Sequence, residues 1–495
     1  DLERLRAGDL VFYAVRLERF AYLLFVHSTN MVCLPADRIY CRVNKHYHLA
    51  SCPPMYVPMR IALINSREDC AGVNIRDRLR ELLAEGGSWP LANRHTLAFH
   101  EIAGRLIYQD RIDEEVDADL IIFLSRHSSV HPTPALTVHA TGNYGAAELG
   151  GEPQTLAPAS PAWMHAVLGS LAARAPEGYR VSYEVTHHGP TALSTPSFFV
   201  EIGSTAAEWA DPVAGRAVAE SILTARPLKT INLIGFGGTH YAMRQTAIAL
   251  SSRGAFGHIV PTRQVGDITP PLILRMQEAS RAVATYIDRK ALSTGEFERI
   301  ERMLDDAGII HLTESEIPEV SRLDWATYCR VRALAGEIAP GSRIHIHGLA
   351  GEGTPVPVTV APDLVEEIVK SSKDRFLESI DELPIVHLSK GSAEVLPTFI
   401  GFEDASSQLA RDITTLCVKL LLICENAVID GDHLVLCKVR FDPGKARMLG
   451  VPKGPLFATL AGGNAVTVEG RRITADAVQT TSVKRIHIPG LERYT

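Results

Sequence analysis

From about residue 58 to residue 260 the chain alternates between short apolar runs and longer segments whose apolar positions recur at helical spacing. The apolar runs predict strands at residues 61–64, 120–124, 181–185, 197–202 and 230–234. The helical segments lie at residues 75–84, 161–174, 213–225 and 242–252. Strands that alternate with helices of this length are typical of an α/β fold. We therefore expect a mostly parallel sheet covered by helices.

A different pattern begins near residue 316. Predicted helices at 325–335, 364–370 and 405–424 are mixed with a glycine-rich strand pair at 344–348 and 355–360, and short β segments follow at 466–468 and 471–473. This pattern predicts an added α+β domain over residues 316–495, which we interpret as an accessory domain without catalysis. We assign residues 59–315 to a catalytic domain that begins at Met59, and residues 1–58 to a leader or accessory segment.

Composition and charge narrow the functional classes. The chain is 46% hydrophobic and 22% charged, which favours a folded protein over a disordered one. The formal net charge is -7, so a nucleic acid would have to bind through a local patch. The eight cysteines include no CxxC pair, and we recognise no signal peptide or membrane span in the sequence. We therefore expect the protein to work in the reducing cytoplasm. A Cys/His-rich stretch at 41–52 is compatible with a small metal site, although we favour a leader.

Histidine-bearing loops recur at the ends of the apolar runs. His127 follows the run at 120–124, and His187 and His188 follow the run at 181–185. His240 lies in a glycine-rich loop, and His258 lies in a later apolar run. Ligands of α/β sheets bind beyond the carboxyl ends of the strands. These loops therefore predict the rim of an active site.

Glu201 and the pair His187–His188 are candidates for chemistry. Adjacent residues of extended backbone face opposite sides, so one histidine can be a metal ligand or general base while the other packs. Glu201 lies within a predicted strand, where a carboxylate buried on both faces requires a partner or a metal. The alternatives are a structural loop histidine and a buried salt bridge.

The next candidates are less specific. His127 and His139 flank a loop rich in Ser and Thr, and each is suited either to metal coordination or to ordinary hydrogen bonding. Gly237 and Gly238 lie between a predicted strand and a predicted helix, where backbone N–H groups can hold an anion, and a tight turn fits nearly as well.

The candidate residues favour a metal-activated water over a covalent nucleophile. No Gly-x-Ser-x-Gly motif is present, and no cysteine has a nucleophile's surroundings. Zinc takes histidine and carboxylate ligands and lowers the pKa of a bound water to about 7. The several histidines and the buried glutamate fit that chemistry.

Taken together and in order, these motifs resemble those of the D-aminoacyl-tRNA deacylase family of archaea and plants, which is distinct from the bacterial-type deacylase. The resemblance covers about residues 59–312. The matching segments are 125–129 (SRHSS), 134–143 (PALTVHATGN), 184–191 (EVTHHGPT), 196–204 with Glu208-Trp209, 235–241 (GFGGTHY) and 255–259 (AFGHI).

The resemblance implies hydrolysis of the ester that joins a D-amino acid to the terminal adenosine of tRNA, which is chiral proofreading. It also implies a fold like that of peptidyl-tRNA hydrolase and nucleoside phosphorylases, and zinc dependence with two ions. D-aminoacyl-tRNA is then the partner, rather than DNA or a membrane, and we expect a monomer.

Three sets of site residues follow from the motifs and the resemblance. The predicted catalytic residues are His187, His188 and Glu201. The predicted metal ligands are His127, His139, His188, Glu201, His240 and His258. The predicted substrate-binding residues are Arg126, Ser128, Thr137, Thr141, Gly189, Gly237 and Gly238.

Three alternatives stay open at this point. The 2′-hydroxyl of the terminal adenosine could assist the reaction in place of a metal-activated water. The protein could be a zinc amidohydrolase or peptidase that acts on a small substrate. It could also be a tRNA-binding module whose histidines are structural.

Overall fold

The computed structural model describes residues 58–129, 132–391, 394–425 and 427–495, and, before residue 51, the backbone of six strands. These strands form an antiparallel sheet in the order β1-β2-β3-β4 and a β5–β6 pair. Their bounds are β1 (Leu2–Ala7), β2 (Leu10–Leu17), β3 (Phe20–His27), β4 (Asn30–Pro35), β5 (Ile39–Val43) and β6 (His46–Ala50). The side chains of the Cys/His-rich stretch at 41–52 lie outside the described residues.

The first large sheet has six strands in the order β11-β10-β12-β9-β7-β8. Neighbouring strands are parallel except β10 and β12, which are antiparallel. The strands are β7 (Arg60–Ser66), β8 (Thr96–Ile102), β9 (Leu120–Arg126), β10 (Ala135–His139), β11 (Arg180–Tyr183) and β12 (Ser197–Gly203). Strands β9, β10 and β12 are buried almost throughout. Continuous apolar runs predict β9 and β12. The prediction of a loop between His127 and His139 is wrong in part, because residues 135–139 pair with β11 and β12 and form β10.

A second sheet of four parallel strands has the order β14-β13-β15-β16. Its strands are β13 (Ile231–Phe236), β14 (Gly254–Val260), β15 (Ala284–Ile287) and β16 (Ile310–His311). The α/β class is confirmed, but the strands form one mixed and one parallel sheet rather than a single sheet. The reason is that β11 ends at Tyr183. Beyond it, Glu184 hydrogen-bonds to Val138 of the first sheet, whereas Thr186 hydrogen-bonds to Ile259 of the second.

Helices cover both sheets, and several begin where the sequence supplies a cap. Asp69 accepts hydrogen bonds from the backbone N–H groups of Ala71 and Gly72 at the start of α1, and Asp211 caps α5 before a first-turn proline. The helices are α1 (Cys70–Ala84), α2 (Pro90–Arg94), α3 (Pro161–Ala172), α4 (Ala206–Ala210), α5 (Pro212–Thr224), α6 (Met243–Ser251), α7 (Pro270–Ser280), α8 (Thr294–Asp306) and α9 (Glu316–Val320).

The chain after α9 forms antiparallel sheets with helices. One sheet has the order β17-β19-β20-β18, so the two strands predicted at 344–348 and 355–360 exist but are separated by β19 and β20. A second sheet has the order β21-β22-β25, and β23 and β24 form a hairpin. The strands are β17 (Arg343–Ile346), β18 (Pro355–Thr359), β19 (Val386–Lys390), β20 (Glu394–Phe402), β21 (Ala427–Asp430), β22 (His433–Phe441), β23 (Val466–Val468), β24 (Arg471–Ile473) and β25 (Gln479–His487).

Five helices complete this part of the chain. The long helix predicted at 405–424 is present as α12, with Leu409, Ile413 and Leu421 among its buried residues. The helices are α10 (Trp325–Ile338), α11 (Pro362–Ile380), α12 (Ser406–Cys424), α13 (Pro443–Met448) and α14 (Pro455–Ala461). Among the described residues, no helix has the length and apolar character that crossing a membrane requires.

Candidate functional site

The candidate site lies where the two large sheets meet. The backbone N–H of Glu184 donates to Val138 of the first sheet. The N–H of Val185 then donates to His240, and that of Thr186 to Ile259 at the end of the second sheet. This crossing brings the histidine loops of both sheets to one place.

The first group of candidate ligands is His139, His187 and His188, whose ligand atoms lie within 4.8 Å of one another. Each of these rings can donate its Nδ1–H to a nearby backbone carbonyl: His139 to Ala140 at 3.2 Å, His187 to Val185 at 2.7 Å and His188 to Gly189 at 2.6 Å. In that tautomer Nε2 carries a free lone pair. Such outer hydrogen bonds are typical of metal-binding histidines.

The second group is His127, Glu184 and His240, with the same limit of 4.8 Å between ligand atoms. Glu184 Oε1 lies 3.1 Å from His127 Nδ1, and Glu184 Oε2 lies 3.0 Å from His240 Nε2. The Glu184 side chain is fully buried. On the far side of the His127 ring, the Tyr241 hydroxyl lies 3.1 Å from Nε2 and fixes the orientation of the ring.

Glu201 lies between the two groups. One carboxylate oxygen, Oε2, is 3.6 Å from His139 Nε2 and 3.9 Å from His127 Nδ1. Glu201 stands opposite Thr137 of β10 and beside Ser125 of β9, and it is 3% exposed. The sequence-based expectation of a buried carboxylate that needs a charged or metal partner fits this position.

The two carboxyl groups have opposite pKa shifts. Burial raises the pKa of Glu184, but the neighbouring His127 and His240 more than offset this, so the net pKa lies well below its usual value. Burial also raises the pKa of Glu201; His139 lowers it, the negative charge of Glu184 raises it again, and the net pKa is above its usual value. Glu184 is therefore the ionised carboxylate of the site, and Glu201 is the one that holds a proton more readily.

The histidines of the first group also differ. Burial lowers the pKa of His187 well below its usual value, and it lowers the pKa of His188 to about 3. Burial also lowers the pKa of His139, but Glu201 beside it shifts the net value upward. His187 and His188 are thus neutral at pH 7, which is the form that binds a metal.

The ligand atoms fit a bound cation. His139 Nε2, His240 Nε2 and both oxygens of Glu184 are buried and have no hydrogen-bond partner among the described residues, although several lie within 4 Å of another such atom. Unsatisfied buried polar atoms are costly, and atoms that face one another without hydrogen-bond geometry are satisfied by a shared cation. Imidazole nitrogens with carboxylate oxygens are a donor set that zinc accepts.

A cavity of about 620 Å³ opens beside the two groups. The candidate site residues His127, His187, His188 and Glu201 are among the residues that line it. The other lining residues are Ser66, Glu68, Asp69, Arg105, Leu106, Ile107, Ser125, Arg126, Ser128, Leu149 and Trp209. The cavity therefore has apolar, basic and acidic side chains next to the candidate ligands.

Comparisons with known proteins bear on the same residues. The family model described as D-aminoacyl-tRNA deacylase matches residues 114–312. A protein of Methanoculleus marisnigri named D-aminoacyl-tRNA deacylase is 74% identical over 436 residues, which are 88% of this chain and 100% of that protein. The chain belongs to the D-aminoacyl-tRNA deacylase family.

Shorter relatives match only part of the chain. A D-aminoacyl-tRNA deacylase of Methanosarcina mazei is 39% identical over 284 residues, which are 54% of this chain and 96% of that protein. The crystal structure of a conserved protein of unknown function is 33% identical, covers 53% of this chain and 97% of its own, and has a TM-score of 0.49.

Most of the sequence-predicted ligands of this deacylase-family chain come together. His127, His139, His188, Glu201 and His240 lie in the two groups or between them, as does the predicted catalytic residue His187. His258 does not join them. Its Nε2 is 2.9 Å from the Ala157 carbonyl oxygen and its Nδ1 is 3.2 Å from the Thr186 hydroxyl, so both ring nitrogens have other partners.

The predicted substrate-binding residues occupy different surroundings. Arg126 and Ser128 line the cavity. The buried hydroxyls of Thr137 and Thr141 have no hydrogen-bond partner among the described residues, and Thr137 stands opposite Glu201. Gly189 packs against the backbone of residues 150–151, where a Cβ would lie 2.5 Å from Gly151 N.

The glycine-rich loop after β13 is a tight turn in this structure. Gly237 and Gly238 have φ values of +89° and +111°, which suit glycine. The Gly237 N–H donates to Val260, and the Gly238 N–H donates to the Thr262 hydroxyl. Both N–H groups already have partners, so the tight-turn alternative accounts for this loop, and His240 is the residue it delivers to the site.

Sequence reasoning missed three residues of the site. Glu184, Trp209 and Tyr241 all lie in the segments that carry the family resemblance, but none is among the predicted site residues. The position of Glu184, three residues before His187, was a usable signal for a shared ligand. Tyr241 contacts His127 Nε2, and the Trp209 indole N–H donates to the His127 carbonyl at 2.9 Å. Nothing in the local sequence pattern predicts these two contacts, because they join distant loops.

Proposed function

We propose that this protein hydrolyses the ester bond between a D-amino acid and the terminal adenosine of tRNA, and thereby serves chiral proofreading. The observation that carries the proposal is a cluster of mostly buried candidate ligands, in which Glu184 lies in one group with His127 and His240 and in another with His139 and Glu201, in a chain that belongs to the D-aminoacyl-tRNA deacylase family. A site of neutral histidines and carboxylates beside an open cavity is suited to ester hydrolysis by water.

We assign two zinc ions to the site, one to each group. His139, His187 and His188 would hold one, and His127, Glu184 and His240 would hold the other, with Glu201 between them. When bound, zinc polarises an ester carbonyl and lowers the pKa of a water molecule. His258 is not part of this ligand set, because both of its ring nitrogens are engaged elsewhere.

In the proposed reaction Glu201 moves the proton. Its raised pKa suits a group that takes a proton from the attacking water and returns it to the ribose oxygen as the carbon–oxygen ester bond breaks. The products are the free D-amino acid and tRNA with a restored hydroxyl. Glu184 stays ionised throughout and keeps His127 and His240 in place.

The walls of the cavity suggest how substrate is held. Arg126 lies over the ring of Trp209 at 5.2 Å, next to the backbone of His127, and this platform suits stacking by the unpaired terminal adenine. Leu106, Ile107 and Leu149 form an apolar wall for an amino-acid side chain. Selection of the D-enantiomer would arise if this wall accepts one side-chain direction and clashes with the other.

Other expectations remain part of this proposal. We expect a monomer that works in the cytoplasm, with a catalytic domain whose topology is like that of peptidyl-tRNA hydrolase and nucleoside phosphorylases. The alternative mechanism, assistance by the 2′-hydroxyl of the terminal adenosine, predicts that activity survives strong chelation and disappears on 2′-deoxy-terminated tRNA.

The test is release of amino acid from D-Tyr-tRNA and L-Tyr-tRNA, measured side by side with and without chelator and zinc. We expect D-selective release that chelation removes and zinc restores. His188→Ala should abolish release, whereas His165→Ala, whose ring bonds to backbone carbonyls outside the site, should not. Folded, zinc-loaded protein that releases neither amino acid would refute the proposed function.

A further inference from the structure

Positive charge is concentrated in the last part of the chain. Residues 427–495 contain ten Lys and Arg against six Asp and Glu, whereas residues 313–426 contain ten against eighteen. Because the whole protein has a formal net charge of -7, this contrast sets the final segment apart from the rest. A local excess of cations on an acidic protein indicates an anionic partner.

The cations belong to a small folded unit, which we call the terminal module and define as residues 440–480. It contains α13, α14 and the β23–β24 hairpin, and it is connected to the rest of the domain by β22 and β25. It has an apolar core of its own, made by Ala446, Val451, Leu460, Val466, Ile473 and Val478. The module thus presents its charges from a packed scaffold rather than from a loose tail.

The cations of the terminal module lie at the surface. Its six Lys and Arg side chains are all exposed, and the ion pairs described for the cations of residues 427–495 involve Lys438, Lys484, Arg485 and Arg493, which lie outside the module. The six exposed residues of the module are Arg440, Lys445, Arg447, Lys453, Arg471 and Arg472. By contrast Lys438 and Lys484, in the same strands just outside the module, both contact Glu367.

Two further observations point to a binding role. Asp442, one of three acidic residues in the module, accepts hydrogen bonds from Gly444 N, Lys445 N and the Thr480 hydroxyl, and with three acidic residues against six basic ones the module keeps a positive net charge. The module also lies outside residues 114–312, the part that matches the family model, so it adds to the hydrolytic core.

We propose that the terminal module binds the phosphate backbone of the tRNA body while the aminoacylated end enters the cavity. This inference rests on the proposed function, which supplies a substrate whose body is a polyanion. Exposed Lys and Arg release counterions from a nucleic acid when they contact its phosphates, which makes affinity strongly dependent on salt. The module would then contribute affinity without reading sequence.

The test compares two double variants. Arg471→Glu with Arg472→Glu reverses two exposed charges on the β23–β24 hairpin. Arg226→Glu with Lys229→Glu reverses two exposed charges just before β13, at the amino-terminal end of that strand, whereas the site lies beyond its carboxyl end. Binding of uncharged tRNA is measured by gel shift or fluorescence anisotropy over a range of salt concentrations, with the full chain.

We expect the hairpin variant to raise the dissociation constant by about tenfold or more and to reduce the slope of log affinity against log salt by about 2. The matched control should stay near wild type. Hydrolysis of a minimal substrate, D-tyrosyl adenosine, should be unchanged in both variants because it lacks the tRNA body.

Unchanged affinity and unchanged salt slope in the hairpin variant would overturn the proposal, and so would an equal loss in the control variant. This outcome is separate from failure of the proposed function. If the wild-type protein hydrolysed neither D-tyrosyl adenosine nor D-Tyr-tRNA, the deacylase proposal would fail, while the binding measurement would still decide the role of the module.

Discussion

Glu184→Gln is the most informative single change, because it removes one charge and preserves the shape of the side chain. Glu184 is fully buried, and its two oxygens lie 3.1 Å from His127 Nδ1 and 3.0 Å from His240 Nε2. His187 Nε2 is a third neighbour, at 3.8 Å. Burial raises the pKa of Glu184, but His127 and His240 lower it further, so the net pKa is well below the usual value and the charged form is favoured.

The expected size of the effect follows from these contacts. Changes to the hydrogen-bond partners of metal ligands typically cost about 10- to 100-fold in metal affinity or activity. Because Glu184 is itself a candidate ligand, kcat/KM should fall by about 100-fold or more in Glu184→Gln. The second ligand group should also lose its zinc, because a neutral amide is a poor zinc ligand.

The assay combines metal content with D-Tyr-tRNA hydrolysis in three variants. Glu184→Gln should retain about one zinc ion per chain instead of about two. Glu201→Gln should keep both ions and lose rate if Glu201 is the proton carrier, as proposed above. Glu208→Gln is the matched control: Glu208 belongs to the capping box of α4, and glutamine preserves that role.

Two results would refute this reasoning. Full zinc content together with a wild-type rate in Glu184→Gln would remove Glu184 from the site chemistry. Equal losses in Glu184→Gln and Glu208→Gln would mean that the change acts through general destabilisation, and thermal unfolding of each variant checks this directly.

Three further predictions concern the surroundings of the site, the stability of the protein and the chain after α9. Tyr241→Phe removes the hydroxyl beside His127 Nε2 and should lower kcat about 10- to 100-fold with the zinc content unchanged, measured by kinetics and metal analysis. Chelation should lower the melting temperature on the order of 5–10 °C, and zinc should restore it in calorimetry. Burial raises the pKa of Glu367, but Lys438 and Lys484 lower it further, so the net pKa is below its usual value. The contribution of Glu367 to the free energy of unfolding is therefore present above about pH 4.3 and is lost as the pH falls through the folded pKa. Glu367→Gln should therefore cost about 1–2 kcal/mol at pH 7 and progressively less in acid, and a constant difference across a denaturation pH series would contradict this.

The sequence identified several of the elements but not β8, β10, α7 or α8, and not the assembly of the sheets. Continuous apolar runs identified β9 and β12, and Asp211-Pro212 identified the start of α5, because caps and buried strands depend on local sequence. The division into two sheets depends instead on where the chain passes from the first sheet to the second after β11. That crossing is held by long-range hydrogen bonds, which the spacing of apolar residues does not predict.

The same distinction explains the site. His240 and His258 both belong to the second sheet, and pattern alone treats them alike. His240 lies in the loop that pairs with Val185 and faces Glu184, whereas His258 is inside β14 and turns toward Ala157. A position near the end of a predicted strand therefore marks a histidine as a candidate ligand, but it does not decide whether the ring faces the site.

Glu184 makes the two ligand groups one site. It belongs to the second group, reaches His187 of the first, and raises the pKa of Glu201 through its own negative charge. A single arrangement thus separates the pKa values of the two carboxyl groups, which is the pattern that marks a candidate for proton transfer. Because the two roles depend on the same charge, neutralising Glu184 should affect both the metal content and the pH dependence of the reaction, whereas neutralising Glu201 should affect only the proton transfer.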